Sequence, residues 1–210
     1  MDWKETMFFG FTLTAEQEKY VDSIFENRLT IVNAKSGTGK TTLAVAAAKL
    51  IGKPLLYTFS PVEERTLGYK KGTIEEKEST YIQPLIDALI QINDLEGLCL
   101  TLDSANKKNG KAWVETRSHV FTRGINLSGY TIIIDEAQNW TKSELKKFLT
   151  RIHDDCTVVV TGHTGQVDLT PVSKSGFPRV IEHFSEKGYC KTCELTKNFR
   201  GQLSQDADEL

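Results

Sequence analysis

Long apolar runs are missing from this chain of 210 residues. No uncharged hydrophobic stretch approaches the roughly 18 residues that a membrane-spanning helix needs. The opening MDWKETMFFGF is mixed in charge where a secretory leader would carry an apolar core. A soluble, cytoplasmic protein with no membrane partner is therefore expected. Cysteine is scarce: Cys99, Cys156, Cys190 and Cys193 fit a reducing compartment without a disulfide framework. Cys190 and Cys193 have the C-x-x-C spacing of half a zinc site or a redox pair, but there is no second C-x-x-C to complete four ligands, and an ordinary edge strand is the simpler reading. An excess of one charge is lacking too. With 26 basic against 28 acidic residues the net charge is −2, so the molecule as a whole does not attract polyanions. Nucleic-acid contact would need a local patch. The candidates are Lys107, Lys108, Lys111, Arg117 and Arg123, and, at helical spacing, Lys142, Lys146, Lys147 and Arg151; either is also what a solvated face looks like.

What is present is alternation. Thr14-Ala15-Glu16-Gln17 caps a helix running to about Asn27, followed by the β-branched run Leu29–Val32 and then TTLAVAAAKLIG, a helix stopped by Gly52. PLLYTF (54–59) reads as a strand, GYKKGTIEEKEST (68–80) as irregular, and YIQPLIDALIQI (81–92) as a helix with a proline tolerated near its start. AWVET (112–116), YTIII (130–134) and CTVVV (156–160) are further strands. Between the last two, TKSELKKFLTRI has a helical face at Leu145, Phe148, Leu149 and Ile152. The pattern is α/β: a mostly parallel central sheet with helices on both faces, in one domain without repeats or low-complexity linkers.

Residues 33–43, NAKSGTGKTTL, carry the phosphate-loop pattern G-x-x-x-x-G-K-[ST], with Ala34 in the first glycine position and Gly39, Lys40 and Thr41 in register. Strand before and helix after supply the context. Glycines let successive N–H groups curl around phosphate oxygens, and the helix N-terminus adds the positive end of its dipole. Ala34, Lys35, Ser36, Gly37, Thr38, Gly39, Lys40, Thr41 and Thr42 thus form the candidate cradle, Lys40 reaching the β- and γ-phosphates and the Thr41 hydroxyl meeting Mg²⁺.

TIIIDEAQNW places Asp135 and Glu136 at the C-terminal end of a buried strand, the edge where ligands of parallel α/β sheets sit. Asp135 is the candidate second Mg²⁺ ligand, and Glu136 the base that orients and deprotonates water. VVVTGHTGQVDL brings Gln166 to the end of another strand, where a glutamine can sense the γ-phosphate. His163 nearby reads as structural.

Together AKSGTGKT, LGYKKGTIEEK with TYIQPLIDAL, FTRGINL, IIIDEAQN with FLTRI, TGHTGQVDL and CELTKNFRG make the chain resemble PhoH-like ATPases. The core of that family is a RecA-like P-loop NTPase domain related to the first motor domain of superfamily-one helicases. The resemblance spans about residues 14–203, leaving 1–13 as an N-terminal extension of a single domain, 1–210. It implies ATP and Mg²⁺ as cofactors, Gln17 on the adenine edge, and Arg200 as an arginine finger, with Arg123 a second candidate. Three positions depart from the family pattern: Ala34 for a glycine, Ile125 for the second arginine of an R-G-R element, and His163 for the aspartate of T-G-D; a smaller difference is Lys70-Lys71 in a loop.

One such domain has no second motor domain to work against. The resemblance therefore implies an ATPase coupled to single-stranded RNA or DNA as a homo-oligomer, such as a ring in which one subunit's arginine completes the next subunit's site, with helicase activity a further prospect. The alternative is an ATP-switched regulatory or binding module with incidental turnover. A small-molecule kinase fits less well, because a water-activating glutamate would waste ATP.

Overall fold

Parity along the strands decides the layers. Ile132 and Ile134 enter one core and Ile133 the other; Ile31 and Val32 divide in the same way, as expected for strands covered on both faces. The computed structural model describes residues 3–61, 81–99, 110–122 and 125–207. Within them run β1 (Leu29–Ala34), β2 (Leu55–Phe59), β3 (Leu98–Cys99), β4 (Val114–Ser118), β5 (Thr131–Ile134), β6 (Thr157–Gly162) and β7 (Cys190–Leu195). They form one sheet, β3-β4-β2-β5-β6-β1-β7, with every pairing parallel. All strand C-termini therefore share one edge, and β6 alone separates β1 from β5.

On one face lie α1 (Ala15–Glu26), α2 (Lys40–Ile51) and α3 (Gln83–Gln91). Thr14 closes a reciprocal capping box with Gln17 at the start of α1, which satisfies two otherwise orphaned N–H groups. In α2, residues Leu43 to Ala48 are all buried; its alanines let α1 and α3 approach closely. Leu85 and Leu89 of α3 are fully buried, each contributing about 1.5–3 kcal/mol by leaving water. The other face carries α4 (Lys142–Leu149), opened by a second capping box between Thr141 and Glu144, and α5 (Phe177–Phe184). A short, exposed α6 (Gln202–Ala207) follows β7. Among the described residues no helix is long and apolar enough to cross a membrane.

Several details differ from the sequence reading. Trp3 and Phe8, within the segment read as an extension, are buried in the core beside α1. The strand expected at 112–116 forms at Val114–Ser118; Trp113 before it still bonds to both neighbours, its N–H donating to Gly97 O and its O accepting from Leu55 N–H, while its indole donates to Asp94 at 2.8 Å and lies under Lys49. The helix expected to reach Ile152 ends at Leu149: the chain turns so that Ile152 lies opposite Leu127, with Leu127 N–H donating to Arg151 O and His153 N–H donating to Leu127 O. Helix α5, as long as α4 at eight residues, is absent from the sequence reading. Cys190 and Cys193, three apart on β7, fall on opposite faces of the sheet, one in each core, so neither a shared disulfide nor a shared metal site is available to them. The stretch 68–80, the turn NKKNG up to Asn109, and Arg123 lie outside the described residues.

The two helices of the second face meet at Gly176. A Cβ built there would lie 2.6 Å from both Cα and N of Lys142, and Gly176 N–H donates to Trp140 O at 2.8 Å. With backbone on both sides, no side chain can yield. Gly176→Ala is expected to lower stability by about 1–3 kcal/mol through overpacking, measured by urea denaturation; an unchanged midpoint would show that the two helix starts are free to separate.

Candidate functional site

The loop after β1 adopts the form its glycines permit. Gly37 and Gly39 have φ of 79° and 83°, a left-handed conformation open to glycine at little cost. Ala34 needs no such freedom: it ends β1 in extended backbone, paired with Leu195, so alanine in the first glycine position fits without strain. Helix α1 braces the loop from behind. Gln17 Nε2 donates to Thr38 O at 3.0 Å, and Tyr20 Oη donates to Lys40 O at 3.2 Å. Thr38 is buried, its hydroxyl donating to Lys35 O at 3.0 Å.

The sheet edge brings the loop and the acidic pair together. Thr41 Oγ1 lies 3.3 Å from each oxygen of Asp135. Asp135 is 1 % exposed and accepts further hydrogen bonds from Tyr57 Oη, from Thr161 Oγ1 and, at 3.1 Å, from Glu136 N–H. Burial and the adjacent Asp135 charge raise the Tyr57 phenol well above its usual range, so it stays a donor. Lys40, 7 % exposed, points its Nζ at Glu136 Oε1 across 3.5 Å. Burial, then the Asp135 charge, raise the Glu136 carboxyl above its ordinary value, with Lys40 and Gln138 pulling the other way. A carboxylate with raised proton affinity is a better general base near neutrality. Glu136 holds φ 48° and ψ 47°, uncommon for a residue with a side chain.

A cavity of about 540 Å³ opens over this floor, lined by Ser36, Gly37, Gly39, Lys40, Thr41, Thr42, Glu136, Gln17 and Arg200 among the residues foreseen from sequence. Arg200 belongs to the tail after β7. Phe199 N–H donates to Gly37 O at 2.9 Å, and a Cβ on Gly37 would stand 2.7 Å from Arg200 Cγ. The arginine thus covers the loop of its own chain. Gln17 also lines the cavity, yet both ends of its amide are engaged within the protein, the oxygen by Thr14 N–H at 3.0 Å and the nitrogen by Thr38 O. Ala34, Lys35 and Thr38 support the loop and do not face the cavity, and Asp135 lies beneath it. Gln166 is partly buried in the turn after β6 and does not line the cavity; its N–H donates to His163 O at 3.3 Å.

Sequence reasoning passed over several groups. Tyr57 and Thr161 hold Asp135, and a hydroxyl at the end of an otherwise apolar strand, as in VVVTG, was the available signal. Gln138, 2 % exposed, donates to Glu136 Oε2 and accepts His163 N–H at 3.0 Å. Asn139 and Asp168 bond reciprocally at 2.7 and 2.9 Å. The turn after β5 and the loop after β6 are therefore fastened together.

The family described as PhoH-like protein matches residues 11–209. A PhoH-like protein of Mycobacterium leprae is 34 % identical over 182 residues, covering 82 % of this chain and 50 % of the relative. One from Bacillus subtilis is 33 % identical, covering 78 % and 51 %, and Protein PhoH of Escherichia coli is 32 % identical, covering 81 % and 48 %. The chain spans about half the length of these curated relatives. Among solved structures, the Pyrococcus furiosus Hef helicase domain aligns with a TM-score of 0.51 at 15 % identity, over 87 % of this chain and 37 % of its own. Bacteroides Pif1 bound to ssDNA gives a TM-score of 0.44 at 17 % identity, over 94 % and 45 %. The fold is that of RecA-like helicase motor domains, and the match over nearly the whole length means that this chain belongs to the PhoH-like protein family.

Proposed function

We propose that this protein binds ATP with Mg²⁺ in the cavity over the β1 loop and hydrolyses it, coupled to single-stranded RNA or DNA. The observation that carries this reading is the convergence of Thr41 on Asp135 and of Lys40 on Glu136 at one sheet edge. Hard oxygen donors suit Mg²⁺, and two oxygens on one edge of its octahedron sit roughly 3 Å apart, close to the 3.3 Å between Thr41 Oγ1 and the Asp135 oxygens. Mg²⁺ held there would offset the charge of the phosphates. Thr41 and Asp135 would hold it, Lys40 would turn from Glu136 to the phosphates, and the loop N–H groups would fix the chain of phosphates. Glu136, released from the lysine but still held by Gln138, would take a proton from water aligned with the γ-phosphorus. Phe199, half-exposed at the cavity mouth, offers a flat surface to the base. Gln166 would report on the γ-phosphate through the loop that Gln138 and Asn139 fasten, and Gln17 would shape the base end from its braced position.

Two substitutions test the cavity. Lys40→Ala is expected to reduce ATP affinity at least tenfold, in line with losing a charge-assisted contact. Glu136→Gln is expected to retain binding and lose turnover by roughly 10²–10⁴-fold, the usual share of a general base. Titration calorimetry and phosphate release measure the two; intact affinity in the first variant or brisk hydrolysis in the second removes the corresponding role.

Helix α4 begins a few residues beyond Glu136 and exposes Lys142, Lys146 and Lys147. A polyanion lying there would touch an element anchored at the site through Trp140, whose Nε1–H donates to Asp135 O at 3.2 Å. ATPase activity is expected to rise with single-stranded RNA or DNA and to lose that stimulation as salt increases. Activity indifferent to both polymers favours the switch-type binding module.

Because Arg200 covers its own Gly37, the cavity has this cation without help from a neighbouring subunit. Arg200→Ala is expected to slow turnover more than it weakens ATP binding, and specific activity is expected to stay level on dilution. A steep fall on dilution, with mass measured alongside, would instead show that a homo-oligomer supplies a further catalytic group.

A further inference from the structure

We propose that Asp87 on α3 recognises the sugar of the bound nucleotide and makes the cavity selective for ribonucleotides over their 2′-deoxy forms. The inference rests on the nucleotide reading above and extends it to substrate choice. Leu85, Ala88 and Leu89 seal α3 in the core with α2. Pro84, Asp87 and Gln91, at i, i+3 and i+7, consequently share another side of the helix, and all three line the cavity.

Charge in the cavity is segregated. Lys40 at the start of α2, Arg200 on the tail and the N–H groups of the loop between β1 and α2 belong to the phosphate end. Asp87 stands on α3 and, unlike Glu136, which Lys40 faces at 3.5 Å, has no cation paired with it among the described residues, so phosphates beside it would be repelled. Its place is therefore with the part of a nucleotide that offers hydrogen-bond donors and bears no charge. A carboxylate only accepts. The adenine edge pairs a donor amine with an acceptor ring nitrogen, so it matches a carboxylate at one point and opposes it at the next. The 2′- and 3′-hydroxyls of ribose present two donors side by side, the pairing by which acidic residues commonly hold ribose. Gln83 Nε2 donates to Asp87 Oδ1 at 2.7 Å and orients the group, while Oδ2 has no partner among the described residues. Asp87 is exposed, so it can be replaced without unfolding the helix.

Calorimetric titration with MgADP, 2′-deoxy-MgADP and MgGDP tests this on wild type, Asp87→Ala and Asp87→Asn, each checked by thermal melting. Wild type is expected to prefer ADP to deoxy-ADP by about tenfold, the size of one hydrogen bond to a charged group. Asp87→Ala should lose that preference by weakening ADP alone, and Asp87→Asn, which keeps one acceptor, should retain part of it. The proposal is overturned by a wild-type ratio near one, by a ratio that survives in Asp87→Ala, or by a changed ADP-to-GDP ratio with the sugar preference intact. The last result would make Asp87 a reader of the base. Failure of wild type to bind any of the three would remove the nucleotide reading itself, a separate outcome.

Discussion

A carboxylate buried at the end of a central strand governs this molecule. Asp135 is 1 % exposed, and stripping water from such an anion costs several kcal/mol unless its lone pairs are met. They are met from four directions: by Thr41 at the start of α2, Tyr57 on β2, Thr161 on β6 and the next peptide N–H. Each partner comes from a different part of the sheet edge, so the register of β2, β5 and β6 and the position of α2 all bear on one side chain. Lys40, almost as buried, supplies the opposite charge close by through Glu136.

Glu136 absorbs the strain of this arrangement. A left-handed backbone at a residue with a side chain costs of order 1–3 kcal/mol and persists only where neighbours dictate it. Here Asn139 N–H donates to Glu136 O at 2.9 Å, Glu136 N–H is tied to Asp135, and Trp140 locks the peptide between them from below. The Glu136 carboxylate is aimed by a rigid turn and not by a flexible side chain alone, which is what precise positioning of a water would require.

Much of this was readable from residues. The strand-loop-helix around NAKSGTGKTTL and the acids after TIII followed from local patterns that physics leaves few ways to satisfy, and the alternation of strands with helices indicated a sheet covered on both faces. What escaped was set by tertiary partners. Nothing in PLLYTF marks Tyr57 as the donor to an aspartate 78 positions later, and nothing in TAEQ says that the Gln17 amide is already committed to Thr14 and Thr38. Boundaries slipped where a distant backbone segment decided them, as where the chain turns after Leu149 and bonds to Leu127. The place of Arg200 was also beyond the sequence, since the relation of tail to loop depends on β7 pairing beside β1.

That last pairing has a consequence for biosynthesis. The loop after β1 is synthesised well before the strand that flanks β1 and the arginine that covers Gly37, which follow much later along the chain. Domains fold as units once their last required segment is available. Until β7 has been made, that side of β1 is a bare strand edge and Gly37 is uncovered, and an unpaired edge of this kind is prone to aggregation.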